Sequence, residues 1–429
     1  MFEPKQILSD SISPSYKVTG NLFNRTKGDK VIWAIVILLT MVSILVVYSS
    51  IGSLAYRMNK STESYLFRQV GYICLGVLII YFAHRVNYSI YSRVASILFI
   101  ISIPLLLYTL KYGSHINDAS RWIKLPVINL TFQTSDLAKL ALFMYLSRLL
   151  SRRQNVIKDF KKGFVPLIIP VAIICLLIAP ANLSTSLLIG GTALMLMFIG
   201  RVRARHILMV VGAALIPILI LVSVATHYYN QEEHESKDFP AVLSIGRIPT
   251  WVKRVQDFMY ADKADASYQI QQAKIAIATG GIFGKGPGKS EQRNFLPHPY
   301  SDFIYAIIIE EYGLAGGTII LLIYLLFLFR SIRLFQRCPY AFGAFLAVAL
   351  SFTLVIQALV NMAVNVNLFP TTGVTLPLVS MGGSSLLFTC FSIGIILSVA
   401  RNVEQAEGRS AELATQQTEE TVETNEEEA

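Results

Sequence analysis

The chain is short of charge and of cysteine, and each shortage excludes a class of protein. Only 15% of its 429 residues are Asp, Glu, Lys or Arg, against about 25% in soluble globular domains, so a water-soluble enzyme is excluded. The four cysteines, Cys74, Cys175, Cys338 and Cys390, are scattered in or beside apolar runs with no Cys-x-x-Cys pair. That removes zinc ribbons and dithiol redox motifs and leaves four small hydrophobes. His206, His234 and His298 have no partner at helical or finger spacing, so no metal cluster is expected. The first thirty residues lack the basic, apolar and small-residue succession of a signal peptide, and no cleavage is expected. A phosphate loop is missing too: Gly284-Lys-Gly-Pro-Gly-Lys-Ser290 would need Gly where Phe283 stands, and no strand precedes it.

What the chain has in quantity is apolar sequence, 54% of residues with a mean hydropathy of +0.54. A hydrocarbon core about 30 Å thick takes roughly 20 apolar residues to cross. Such runs lie near 31–50, 65–84, 93–110, 134–151, 164–180, 184–200, 206–226, 302–329, 340–362 and 384–400. The expected fold is all-α, a polytopic inner-membrane protein of about ten transmembrane helices with a large extracytoplasmic loop, 227–301, between helices 7 and 8. Short loops rich in Lys and Arg stay in the cytoplasm. The clusters around Arg25, Arg152, Arg201 and Arg330 alternate accordingly, which places both termini inside and segments 111–133, 227–301 and 363–383 outside. Three regions follow: a cytoplasmic segment 1–29, the transmembrane domain 30–402 and an acidic tail 403–429. From Arg401 onward nine Glu oppose Arg401 and Arg409, so the tail is expected to be disordered. No nucleic-acid partner is expected.

Asp302 is the residue that most needs a reason. It stands where the polar stretch Asn294-Phe-Leu-Pro-His-Pro-Tyr-Ser301 enters an apolar run, and ionisable groups at membrane depth usually face a cavity or pathway. Ser301-Asp302 is also a helix start signal, worth about 1 kcal/mol as a cap, so position alone leaves capping and function both open. Gln133-Thr-Ser-Asp-Leu-Ala-Lys139 opens the fourth span, with Thr134 or Ser135 as cap. Asp136 and Lys139 sit at i and i+3, either an ion pair or one wall of a cavity. Trp122 reads as an interfacial anchor, while Arg121 and Lys124 beside it suit a lipid phosphate. Residues 248–260 form an amphipathic helix, with Trp251, Val255 and Phe258 on one side and Lys253 and Arg254 on the other, expected on the membrane surface. The glycine cluster could cradle an anionic headgroup through its amides and Lys285 or Lys289. Ser384, in Gly382-Gly383-Ser384-Ser385, reads either as close helix packing or as an anion-binding helix start. Glu310 and Glu311 lie about two turns beyond Asp302, too deep for the same proton, and are expected to pair with cations or pack on the glycines that follow.

Together, Tyr268-Gln269, Gly280-Gly281, Gly284-Lys-Gly286, Phe295-Leu-Pro297, Ser301-Asp-Phe-Ile304, Glu310-Glu-Tyr-Gly313, Arg121-Trp-Ile123, Gln133 to Lys139 and Pro370-Thr-Thr-Gly-Val-Thr-Leu-Pro-Leu-Val-Ser-Met-Gly-Gly-Ser-Ser385 resemble the SEDS family (shape, elongation, division, sporulation) over about residues 30–400. The resemblance implies a ten-helix peptidoglycan glycosyltransferase that polymerises lipid II on the outer face of the inner membrane. It also implies a class B penicillin-binding protein as partner, with other divisome membrane proteins, and it maps the family's essential Asp onto Asp302. Three departures stand out. Thr134 and Asp136 replace the Pro and Glu of the usual Gln-Pro-(Ala/Ser)-Glu, Thr372 replaces the Lys frequent in division-type Pro-Thr-Lys-Gly, and Asn182 replaces an Asp. The run ending at Ser385 leans to the division type over the elongation type, and so to the septum.

Joining an α-linked donor into a β-linked product by single displacement needs one base for the incoming hydroxyl and cationic help for the lipid pyrophosphate. Asp302 fits the base. Arg121, Lys124, Lys139, Lys285 and Arg293 are the candidate pyrophosphate holders, with Asp136 and Ser384 on the same polar walls. A divalent cation, Mg or Mn, is a further candidate, since it binds phosphate with one or two carboxylates. A lipid II flippase would also line a cavity with charge but has little use for a base at Asp302, and a scaffold would need neither the acid nor the outer cations.

Overall fold

The computed structural model describes residues 28–57, 61–116, 119–125, 130–229, 247–260 and 268–427, so the segment 1–29 lies almost wholly outside the described residues. Each of the ten apolar runs falls on a helix: α1 (Lys30–Arg57), α2 (Thr62–Arg85), α3 (Tyr88–Tyr112), α4 (Thr134–Arg152), α5 (Val165–Ile178), α6 (Leu183–Ile199), α7 (Ala204–His227), α10 (Ile304–Arg337), α11 (Ala341–Asn365) and α12 (Ser384–Glu427). Two further helices, α8 (Ile248–Met259) and α9 (Tyr268–Gly280), lie between α7 and α10. Among the described residues eight helical stretches are long and apolar enough to cross a bilayer, α5 counting with the turn that precedes it. This is an integral membrane protein. α6, at 17 residues, is shorter, and the polar opening of α4 keeps that helix out of the eight.

Two elements differ from the sequence expectation. The segment 111–133 holds a three-stranded antiparallel sheet, β1 (Ser114–Ile116), β2 (Ala119–Leu125) and β3 (Leu130–Gln133), with Trp122 opposite Gln133 and Lys124 opposite Thr131. Aromatic and β-branched residues such as Trp122, Ile123, Thr131 and Phe132 suit a pleated surface, and β3 runs straight into α4. The second departure is the acidic tail, expected to be disordered, which continues α12 as helix to Glu427. Its Glu, Gln and Ala are strong helix formers.

α11 forms the centre, packed against α10, α4, α12 and α6 and buried on almost every side. α7 is its opposite, with only His206 and Ala225 buried and its main contact on α8. The segment after α11, expected outside, dips into the bundle, where Leu376, Leu378 and Val379 are buried. Irregular backbone is tolerated at such depth only when protein satisfies it. Here Ser43 Oγ donates to Val379 O (2.8 Å), Gln357 Nε2 to Thr375 O (3.0 Å), Tyr324 OH to Pro377 O, and Leu376 N to Ser380 Oγ (2.8 Å). At the other end Arg330 bridges Asp29 (2.7 Å), Gly28 N donates to Glu404 (2.8 Å) and Arg401 to Arg85 O (2.9 Å). Segments assigned to the cytoplasm are thus tied to one another.

α10 is broken at Gly313, whose backbone takes φ +71° and ψ −177°. The break strands carbonyls on one side and amides on the other, and the glycine cluster fills both: Lys285 N and Gly286 N donate to Glu310 O and Glu311 O (2.9 Å each), while Leu314 N and Ala315 N donate to Gly281 O (2.9 Å) and Ile282 O (3.1 Å). The fit leaves no room for a side chain. A Cβ on Gly284 would lie 2.2 Å from Glu311 O, and one on Gly313 would lie 2.1 Å from Ile282 O. Gly284→Ala and Gly313→Ala should each lower the apparent melting temperature in a fluorescence thermal-shift assay well beyond Gly288→Ala. Gly288 also has positive φ but faces open space, so its variant meets only backbone strain of about 1 to 2 kcal/mol.

Candidate active site

Asp302 lies in the turn just before α10, and it does not cap the helix. The N-cap position falls on Phe303, which has no polar side chain to offer. The cap comes from another helix: Asn365 Oδ1 accepts from Ala306 N (3.1 Å), while Asn365 Nδ2 and Asn361 Nδ2 each donate to Asp302 O at 3.0 Å. Ser380 Oγ donates to Ser301 O (2.7 Å), and Met381 N to Tyr300 O (3.0 Å). The main chain of the turn is therefore held from α11 and the inward loop, and the carboxylate is left for other work. Ser301, a candidate cap, instead donates its hydroxyl to Asp302 Oδ1 (2.9 Å).

The half-buried carboxylate lines a cavity of about 60 Å³ with Arg254, Gln269, Asn361, Thr372 and Gly373. Gly373 has φ +66°, and a Cβ there would stand 3.6 Å from Asp302 Oδ2, so a side chain would crowd the acid's open face. Thr372 is buried. Burial and the nearby Arg247 lower the Arg254 pKa, against the pull of Asp302 and Asp257.

Of the five expected pyrophosphate holders, the three whose side chains are described, Lys139, Lys285 and Arg293, do not line this cavity. Lys285 is engaged by Glu310, at 3.0 Å, which raises its pKa. Glu310 also accepts from Ser290 Oγ (2.5 Å), Glu291 N (3.1 Å) and Gln292 N (3.3 Å), so the anion in the glycine-loop cradle is the chain's own carboxylate. Arg293 donates to Ser49 O (2.8 Å), and Ser49 Oγ donates to Glu311. Lys139 pairs with Asp136 at 3.4 Å, as the i, i+3 spacing requires, and donates to Gln357 Oε1 (2.8 Å). Gln133, not Thr134 or Ser135, occupies the N-cap of α4. Ser384 Oγ accepts from Gln133 N (3.2 Å), tying α12 to β3. Asn182 caps α6 by accepting from Thr185 N (3.3 Å). Arg121 and Lys124 belong to β2, and their side chains lie outside the described residues.

Arg254, Gln269 and Gln357 were the residues missed. Gln357, Asn361 and Asn365 recur every four residues along α11, one polar stripe on a helix otherwise built for burial. That period was the available signal. The stripe also joins the two polar regions: Gln357 links Lys139 to Thr375 O, and Asn361 links Val374 O (2.7 Å) to Asp302 O.

The cell cycle protein family of FtsW, RodA and SpoVE matches residues 29–405. The chain belongs to this family. The relatives include a probable peptidoglycan glycosyltransferase FtsW of a Geobacter species, 33% identical over 387 residues, 89% of this chain and 99% of that one. Another is the stage V sporulation protein E of Bacillus subtilis, 32% identical over 385 residues, 88% and 98% of the two chains. Of solved structures, a chain from a peptidoglycan synthase complex that coordinates polymerization and crosslinking superposes with a TM-score of 0.67 at 24% identity, over 88% of this chain and 99% of that one. The rod shape determining protein RodA of Thermus thermophilus gives 0.59 at 23%, over 87% and 97%. These likenesses establish the fold of this FtsW, RodA and SpoVE family member.

Asn365→Ala should cost about 1 kcal/mol by removing the side-chain acceptor of Ala306 N, which keeps only its 3.1 Å bond to Phe303 O, and the donor to Asp302 O. It should also speed hydrogen–deuterium exchange across 303–307. Asn365→Asp keeps an acceptor for that amide and should protect it while losing the donor to Asp302 O.

Proposed function

We propose that the chain is a peptidoglycan glycosyltransferase of the division type, polymerising lipid II into glycan strands on the outer face of the inner membrane with Asp302 as general base. The observation that carries this reading is a carboxylate relieved of capping, fixed through its main chain by Asn361 and Asn365, and set in the wall of a polar cavity. The FtsW relatives' names give the reaction class.

In the proposed step Asp302 accepts the proton of the incoming sugar hydroxyl. That oxygen bonds to the anomeric carbon of the donor, the bond from carbon to phosphate oxygen breaks, and the electron pair leaves with the lipid pyrophosphate. Displacement from the opposite face inverts the linkage. Among the described residues Asp302 is the one carboxylate lining the cavity, and with the donor's phosphates it would be the residue to hold a divalent cation, which would supply charge to the leaving group.

The same reading takes ten crossings with both termini in the cytoplasm, residues 1–29 and 403–429 flanking a membrane domain of 30–402, and a position at the septum. A class B penicillin-binding transpeptidase would crosslink the product beside other divisome proteins, in keeping with the synthase complex whose fold the chain shares.

Strand synthesis from labelled lipid II in liposomes, with the purified chain and its transpeptidase, tests the proposal. Asp302→Asn and Asp302→Ala should lower polymer formation by roughly 10²- to 10⁴-fold with the melting profile and partner binding unchanged. Persistence of polymer in both would remove Asp302 from the base role. Absence of polymer with the unaltered chain and partner would favour a transporter of lipid II.

A further inference from the structure

The cavity has a base and, among the expected cations whose side chains are described, none to receive the leaving group. Lys139, Lys285 and Arg293 are engaged elsewhere in the bundle. Thr372 stands where division-type sequences frequently carry Lys, and its side chain is neutral. Arg254 is the one Lys or Arg that lines the cavity among the described residues.

Its own helix places it there. α8 is seated by Val252 and Gln256, both buried one turn apart, with Gln256 Nε2 donating to Ala225 O of α7 (2.9 Å). Tyr260 stacks on Tyr229 at 3.8 Å between ring centroids, and Arg247 Nη1 donates to Ala181 O (2.6 Å). With Val252 and Gln256 turned into protein, Lys253 is exposed and Arg254 reaches the wall that Asp302 shares. The helix expected on the membrane surface is thus seated on protein, with one of its two polar-face cations turned inward.

Among the described residues Arg254 makes no hydrogen bond and no ion pair within 4 Å. Asp302 and Asp257 act on it only through space. The guanidinium is half-buried, its charge partly stripped of water, while its N–H donors are not sealed inside the protein and stay open to a ligand. The arrangement becomes favourable when an anion enters, and a guanidinium forks onto phosphate oxygens with two parallel hydrogen bonds.

We infer that Arg254 holds the pyrophosphate of the glycosyl donor and takes up the negative charge that gathers on it as the anomeric bond breaks, facing Asp302 across the reacting carbon. This rests on the polymerase reading above. The proton passes to Asp302 on one side and the electron pair to the phosphate oxygen beside Arg254 on the other, so charge is balanced at both ends of the displacement.

Binding and turnover test it separately. The full chain in nanodiscs is titrated with undecaprenyl pyrophosphate and with undecaprenyl monophosphate, comparing the unaltered protein with Arg254→Gln, Arg254→Lys and the neighbouring Lys253→Gln. Arg254→Gln should weaken pyrophosphate binding roughly tenfold and monophosphate binding less, because a two-pronged contact is lost. Arg254→Lys should recover part of the affinity and Lys253→Gln should leave it unchanged. In strand synthesis Arg254→Gln should lower kcat by about 10²-fold, the scale for removing one donor to developing charge, with an unaltered melting profile.

Pyrophosphate binding that is the same in Arg254→Gln and the unaltered chain would overturn the inference, as would an equal loss from Lys253→Gln. So would a defect seen only with lipid II bearing its peptide, which would assign Arg254 to a peptide carboxylate. Should Arg254→Gln fail to fold, Arg254→Lys carries the comparison. Polymer that depends on Asp302, with pyrophosphate binding indifferent to Arg254, defeats this inference alone. Binding that depends on Arg254, with no polymer from the unaltered chain, defeats the polymerase reading alone.

Discussion

Everything about the candidate site depends on two asparagine amides converging on one carbonyl. Asn361 and Asn365 both donate to Asp302 O, and Asn365 caps α10 from outside. An acid just before an apolar helix would ordinarily bend back to satisfy the first amides. Because a neighbouring helix performs that task, the carboxylate projects into a cavity with its main chain already immobilised. Geometry held by packed helices rather than by the acid's own bonds is the condition under which a general base can stay in place while gaining and losing a proton.

The glycine cluster shows the same economy from the other side. Amides that look suited to an external phosphate are consumed by Glu310 and by the carbonyls of a broken helix. Lys285 and Arg293 serve that joint as well. Arg293 and Lys285, close to Asp302 in sequence, are therefore structural, and the cation that shares its cavity comes from α8, 48 positions earlier in the chain.

Periodic and local features were legible in the sequence. The ten apolar runs, the Asp136–Lys139 pair at one helical turn and the position of Asp302 at a loop-to-helix border all follow from spacing and the dislike of charge for hydrocarbon. What could not be read depended on partners distant in the chain. Nothing local distinguishes Arg254 from Lys253, since the difference is which of two adjacent residues meets the wall formed by α11 and the segment after it. The inward loop reads as an outer connection until the side chains of Ser43, Tyr324 and Gln357 are seen to satisfy its backbone. The sheet before α4 escaped because its strands are short and the segment was weighed for headgroup contacts alone. In the tail, charge argued for disorder, while the helix-forming character of the same Glu and Gln residues went unweighed.

The discontinuity at Gly313 has an electrostatic consequence. A peptide macrodipole needs an unbroken stack of aligned units, and in α10 the stack that begins beside Asp302 ends after nine residues, roughly 13 Å at 1.5 Å per residue. Its positive pole lies at the acid, and its negative pole is neutralised locally by the amides of Lys285 and Gly286. The long portion of α10 after Gly313 is a separate dipole whose poles lie elsewhere, so charge placed near Arg337 is electrically remote from the acid although both belong to one helix.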